Sequence, residues 1–264
     1  MAPGAFENLL QSRLSPEGLL DLERQGISQE HLHRLAEWEG LPKVRKLYLS
    51  DNALTGEDLR PLEGLSGNLH SLYLNHNRIG DEGARVLARA PFMESVRCLM
   101  LEANEIGAEG ARALAESPHL ENLEELFLDD NPLGAEGVLA LSRSRGLPRL
   151  KALHLDKTGM GDGGVIALAD SPTLTGLERL YLCSNKIGNI GGLALARSKN
   201  LRTLRVLSLW RNELRDEAGR AFIQSPTFAN LERLYMSLNL IERPVRREIR
   251  ASELARRLKT LVMD

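Results

Sequence analysis

Asparagine recurs along this chain at a fixed interval. The column Asn52, Asn77, Asn104, Asn131, Thr158, Asn185, Asn212, Asn239 steps by 25 residues once and then by 27 six times. Each member sits in the same frame, Leu-x-x-Leu-x-Leu-x-x-Asn-x-Leu. Leu69, Leu72, Leu74, Asn77 and Ile79 form one copy, and Leu177, Leu180, Leu182, Asn185 and Ile187 another. A period of this length marks stacked units, none of which can bury its apolar face alone. The register continues into both ends. Gln25 falls in the column with Leu20, Leu22 and Ile27 around it, and Leu258, Leu261 and Met263 follow the last full copy. Terminal units of a stack are expected to be degenerate because they must cap it. The reading is one domain over 1–264: an N-terminal cap with a degenerate repeat over 1–43, eight clear repeats over 44–241, and a capping helix and strand over 242–264. Composition agrees, with 52 leucines among 264 residues and only 4% aromatics.

Local structure follows from side-chain periods. Leu-x-Leu has period two, so both leucines face one side of a strand. Strands are expected to centre on Leu47, Leu72, Leu99, Leu126, Leu153, Leu180, Leu207 and Leu234, with caps around Leu20 and Leu261 completing or covering the sheet. Ala111, Leu114 and Ala115 have helical spacing. Pro91, Pro118, Pro172 and Pro226 stop the helices. Each unit is then a strand, a turn, a helix and a return loop. Helices are wider than the strand spacing of about 4.8 Å, so the stack must curve with its parallel sheet on the concave side. The column asparagine, pointing inward, can donate and accept at once where the chain leaves the strand. Thr158 offers a single hydroxyl among Gly159, Gly161, Gly163 and Gly164, which marks its repeat as an expected weak point.

After each asparagine comes a second motif, as in Ile79-Gly80-Asp81-Glu82-Gly83-Ala84 and Ile106-Gly107-Ala108-Glu109-Gly110-Ala111. With the leucine frame, this resembles the leucine-rich repeat family, and the Gly-x-x-Gly-Ala helix start is similar to its ribonuclease-inhibitor and RanGAP-like subfamily. The resemblance implies an α/β fold, a right-handed solenoid arc with a parallel concave sheet and a full convex α-helix in each repeat. It also implies a non-enzymatic scaffold that binds a protein or peptide on the concave face, with a GTPase-activating or GTPase-regulating protein as the alternative.

The repeat also sorts exposed columns. Between the two leucines lie Tyr48, Tyr73, Met100, Phe127, His154, Tyr181, Ser208 and Tyr235, a column that holds all 4 tyrosines of the chain. Just beyond the second leucine stand Ser50, Asn75, Glu102, Asp129, Asp156, Cys183, Trp210 and Ser237, and then Asp51, His76, Ala103, Asp130, Lys157, Ser184, Arg211 and Leu238. Tyrosine and tryptophan supply contact area at low entropic cost. The expected partner-binding set is Tyr48, Tyr73, Glu102, Phe127, Asp129, Asp130, His154, Asp156, Tyr181, Trp210, Arg211 and Tyr235. Its zoning is acidic at the centre, with Glu125 added, and aromatic and basic towards the C-terminal end through Arg179, Arg211 and Arg233. That zoning suits a partner with a basic centre. Ser208 should leave a notch between Tyr181 and Tyr235.

Other functions lack residues to carry them. The 34 Lys+Arg balance 36 Asp+Glu, which argues against nucleic acid. No apolar run approaches a membrane span, and Met1 to Arg13 does not read as a leader. A cytoplasmic monomer is the expectation. No catalytic set, cofactor motif or metal-ligand spacing emerges. Cys98 and Cys183 fall three strands apart, about 15 Å, too far for a disulfide, and Cys183 lies in an exposed column as a candidate reactive thiol. The run Arg243, Arg246, Arg247, Arg250, Arg256, Arg257 and Lys259 reads as a solvated cap.

Overall fold

The first leucine of each Leu-x-Leu pair centres a three-residue strand in the computed structural model, which describes residues 4–65 and 67–264. Met1 to Pro3 and Ser66, although within the expected single domain, lie outside the described residues. The strands are β1 Leu19–Asp21, β2 Lys46–Tyr48, β3 Ser71–Tyr73, β4 Cys98–Met100, β5 Glu125–Phe127, β6 Ala152–His154, β7 Arg179–Tyr181, β8 Val206–Ser208, β9 Arg233–Tyr235 and β10 Thr260–Val262. They form one parallel sheet in sequence order. Leucine pairs with leucine across every step, from Leu20↔Leu47 to Leu234↔Leu261. The strand centres expected from the sequence are the observed ones, and both caps extend the sheet.

The helices cover the opposite face: α1 Ala5–Arg13, α2 Gln29–Ala36, α3 Gly80–Arg89, α4 Ala108–Ala115, α5 Gly134–Ser142, α6 Gly161–Ala169, α7 Asn189–Arg197, α8 Asp216–Ile223, α9 Arg243–Ala251 and α10 Glu253–Arg257. Between helices and sheet runs one continuous apolar core, in which the central leucines of β2 to β9 are at most 1% exposed. This is the α/β leucine-rich solenoid. Phe6 on α1 covers the N-terminal end of that core, and Phe222 meets Phe228 edge-on at 5.0 Å near the other.

One expectation fails. The 25-residue repeat carries a 3₁₀ helix, Glu57–Gly64, in place of a full α-helix. Pro61 lies inside it and cannot donate an α-type bond. A 3₁₀ helix rises about 2.0 Å per residue against about 1.5 Å, so the shorter repeat still spans its layer.

Three side-chain ladders hold the units in register. Oδ1 of a column asparagine accepts backbone N–H groups of the preceding repeat, as when Asn131 takes Asn104 N at 3.0 Å and Ile106 N at 2.9 Å. Its Nδ2 donates to carbonyls on both repeats, Leu101 O at 2.8 Å and Leu128 O at 3.1 Å. The second ladder is a serine column, Ser117, Ser144, Ser171, Ser198 and Ser225. Each hydroxyl donates at 2.6 Å to the carbonyl 29 residues earlier.

The third ladder sets how each helix begins. Asp81 Oδ1 accepts Gly107 N and Gly110 N, and Asp162 Oδ1 accepts Gly188 N and Gly191 N. Asn189 and Asp216 do the same for Arg215 N and Glu242 N. The helix N-terminus is thus capped from the repeat before it. Where that upstream position holds Gly56, Ala108 or Ala135, no carboxylate is offered. The next turn then takes a left-handed glycine, Gly80 (φ 56°), Gly134 (φ 62°) or Gly161 (φ 56°). Its N–H swings to the following repeat's backbone, at Asn104 O, Thr158 O or Asn185 O.

The swing changes what the column must do. After the Gly80 turn, Asn104 Oδ1 is buried and finds no hydrogen-bond partner among the described residues. After the Gly134 turn stands Thr158, whose hydroxyl reaches Leu155 O and Asn185 Oδ1, both at 3.1 Å. The effect is not general: after the third such turn, at Gly161, Asn185 Oδ1 still accepts Thr158 N at 2.9 Å and Gly159 N at 3.0 Å. At Thr158 itself the hydroxyl serves both its own repeat and the next, which removes part of the reason for expecting a weak point there.

Candidate functional site

The residue between the two core leucines points away from the helices by strand alternation. Parallel pairing then sets that column side by side, and the rings stack. Tyr48 lies on Tyr73 at 4.0 Å, nearly coplanar at 5°. Phe127 meets His154 at 3.9 Å, and His154 meets Tyr181 at 4.1 Å. Met100 bridges the two stacks and Ser208 ends the second, with Tyr235 beyond it. Burial, with the neighbouring Tyr48 hydroxyl second, pushes the Tyr73 phenol up to about 12. Burial likewise raises Tyr181. Trp210 is 39% exposed, and the Arg211 guanidinium lies 5.9 Å from its ring centre.

All twelve sequence-selected residues lie on this open face or its rim, but several acidic ones are already engaged. Asp129 Oδ1 accepts Asp156 N at 2.7 Å, and Asp156 Oδ1 accepts Cys183 N at 2.6 Å. Asn75 does the same for Glu102 N. These carboxylates therefore carry strand-end backbone bonds as well as charge. Asp130 pairs with Lys157 at 2.9 Å. Arg179 reaches over the small Ala152 to Glu125 at 2.6 Å, across two strand spacings. The expected acidic centre thus narrows to Glu102, Asp129 and Asp156.

Within it, burial and then the charges of Asp156 and Glu102 push Asp129 up to about 7, against the lowering effect of its bond from Asp156 N. His154, with its Nδ1 4.0 Å from Asp129, is driven down to about 4, first by burial and then by Arg179. It is therefore neutral at physiological pH and forms no ion pair with Asp129.

Two further corrections concern small residues. Cys183 is not an exposed reactive thiol. It is 9% exposed, contacts Ser208 Oγ at 3.0 Å, and burial raises it to about 11. Ser50 and Ser237 in the same column are buried too, overshadowed by larger neighbours. Beside Ser208 lies a cleft of about 310 Å³ lined from Asp156 to Val262, with Tyr235 but not Tyr181 on its wall, so it is not the expected notch between the two tyrosines. The selection had left out Val262, 37% exposed, and Leu238, 57% exposed, which enlarge the apolar end of the face. Leu238 shares the left-handed backbone of its whole column (φ 57°), a conformation costly for a bulky side chain. Among the described residues no group of His, Cys, Asp and Glu is placed to hold a metal ion. No described helix is long and apolar enough to cross a membrane.

The family model for the leucine-rich repeat matches residues 67–88, 93–115, 119–142 and 147–169. No curated protein matches the chain significantly. Among matching solved structures is a Bacteroides fragilis protein determined by the Northeast Structural Genomics Consortium. It is 15% identical and superposes with a TM-score of 0.55 over 91% of this chain and 70% of that one. At that identity the likeness speaks for the fold alone.

Proposed function

The chain is a leucine-rich repeat protein, and from that premise we propose that it is a non-enzymatic scaffold binding a protein or peptide partner across its concave sheet. The observation that carries this reading is the ring-lined column itself. Four tyrosines, a phenylalanine and a histidine stand half-exposed on six of the eight strands from β2 to β9, and Trp210 and Arg211 flank them. Core packing has no need of them, because the leucine columns already fill the space between sheet and helices. Half-exposed rings fixed at strand spacing lose little entropy when a partner covers them. The residual acidic group of Glu102, Asp129 and Asp156 favours a partner with a basic centre. The test is capture from the source cell followed by mass spectrometry, with three baits: wild type, a Tyr181→Ala/Trp210→Ala/Tyr235→Ala variant and a convex-face Leu139→Ser/Ile166→Ser variant. A partner retained by the first and third and lost by the second supports the reading. Loss with the convex variant alone refutes it. Acceleration of GTP hydrolysis on a captured GTPase would favour the regulatory alternative of the RanGAP-like type.

A further inference from the structure

The ring stack Phe127–His154–Tyr181 stops at Ser208, and no aromatic fills the gap before Tyr235. What remains is the cleft of about 310 Å³, at the lower end of the roughly 300–1,000 Å³ that small-ligand sites occupy. Its floor is Cys183 against Ser208, a neutral thiol on a hydroxyl. Trp210, Tyr235 and Val262 form its sides, and Asp156 and Lys157 line it at the β6 end. Lys157 is paired with Asp130 and Arg179 with Glu125, and the Arg211 guanidinium lies 5.9 Å from the Trp210 ring centre. None of the ion pairs on this face uses Asp156, and Glu102 and Asp129 stand behind it in the same column.

An apolar floor with an aromatic side and one unpaired carboxylate at the end matches one kind of side chain. Lysine and arginine lay an aliphatic stem along apolar surface while the charged head reaches a polar site, and both gain from lying over a tryptophan face. A purely apolar anchor would cover the Asp156 carboxylate without a counter-charge, and an acidic one would add a further acid beside Glu102, Asp129 and Asp156. Resting on the concave-face reading, we propose that this cleft is the anchor subsite of the scaffold, taking a single arginine or lysine side chain of the partner with its head against Asp156.

The probes are octapeptides of glycine and serine carrying one central arginine, lysine, norleucine or glutamate. Binding is read from the two indole N–H signals by NMR. Trp210 lines the cleft, and Trp38 lies in the N-terminal cap as an internal reference. Arginine and lysine peptides should shift Trp210 and leave Trp38 in place, and norleucine should weaken binding at least tenfold. Asp156→Asn should weaken the basic peptides by a similar factor, because the amide oxygen keeps the bond from Cys183 N while the charge is gone. Leu139→Ser, on the convex helix face, should change nothing. Norleucine binding as tightly as lysine, a preference for glutamate, or an Asp156→Asn variant that binds normally overturns the proposal. So does the absence of any Trp210 shift at millimolar peptide. Basic peptides that instead perturb the Tyr48–Tyr73 end, and are lost with Tyr48→Ala, overturn the anchor while leaving the concave-face reading standing.

Discussion

Replacing asparagine by threonine at two positions of the same column should give opposite results. At Asn131 the side-chain oxygen holds Asn104 N and Ile106 N. The observed threonine in this column, Thr158, turns its hydroxyl onward to Leu155 O and Asn185 Oδ1 and accepts nothing from the repeat before it. Asn131→Thr therefore orphans two buried N–H groups. At about 1–3 kcal/mol each, the loss is about 2–6 kcal/mol. At Asn104 the side-chain oxygen already has no partner. Asn104→Thr removes that unsatisfied acceptor and sacrifices donations to Leu74 O and Glu102 O. Leu74 O keeps a second donor in Asn77 Nδ2 at 2.8 Å, so the net change should stay within about 1 kcal/mol. Thr158→Asn, the reverse exchange after another glycine turn, should be equally small. Urea denaturation followed by circular dichroism measures all three, and hydrogen exchange at the Ile106 amide isolates the local effect. If Asn104→Thr costs as much as Asn131→Thr, or Ile106 stays protected in the latter, the account of two turn classes is wrong.

The remaining expectations follow from the same geometry. Asp162→Ala should cost about 1–2 kcal/mol, the usual value of a lost helix cap, because Gly188 N and Gly191 N lose their acceptor. The thermal midpoint measures it, and an unchanged midpoint would contradict the cap. Asp129 is raised to about 7 by burial and by Asp156 and Glu102. Its contribution to stability is therefore present below the ordinary carboxylate range and lost as pH climbs through about 7. Asp129→Asn can keep the bond from Asp156 N, so it should stabilise the protein more at pH 8 than at pH 4, and an equal gain at both would contradict the assignment. Trp210→Ala, Tyr181→Ala and Tyr235→Ala should each weaken partner binding at least tenfold, in line with hot spots of about 2 kcal/mol, with little change in the denaturation midpoint. Charge reversal at Asp129 and Asp130 should act mainly on association rate and its salt dependence, read by stopped flow.

Strand positions were legible because a single constraint sets them. Leucine must face the core from every strand, and a slip of one residue would put Leu72 or Leu180 into water. The face was legible only as columns. Alternation says which residues share a side, and strand order says which are neighbours, so the ring ladder could be anticipated from Tyr48 to Tyr235. Pairing on that face depends on side-chain reach, which no column encodes. Arg179 joins Glu125 because Ala152 between them is small enough to be crossed. Asp129 and Asp156 serve backbone N–H groups because their oxygens lie level with the next repeat's strand end. Charge counting treats all of these as free.

The turn classes show a signal that was present but unread. The residue four places after the column asparagine decides how the next helix begins. Asp81, Asp162, Asn189 and Asp216 precede capped starts, and Gly56, Ala108 and Ala135 precede left-handed glycines. Reading each repeat alone hides this, because cause and effect lie in adjacent repeats, about one period apart. The same offset bears on the column itself. Asn104 and Thr158 both follow a glycine turn and take no N–H from the repeat before them, whereas Asn185, after the third such turn, accepts Thr158 N and Gly159 N, so turn class and column chemistry are only partly linked. A stack whose units touch only their neighbours can still pass a conformational choice along the chain, one turn at a time.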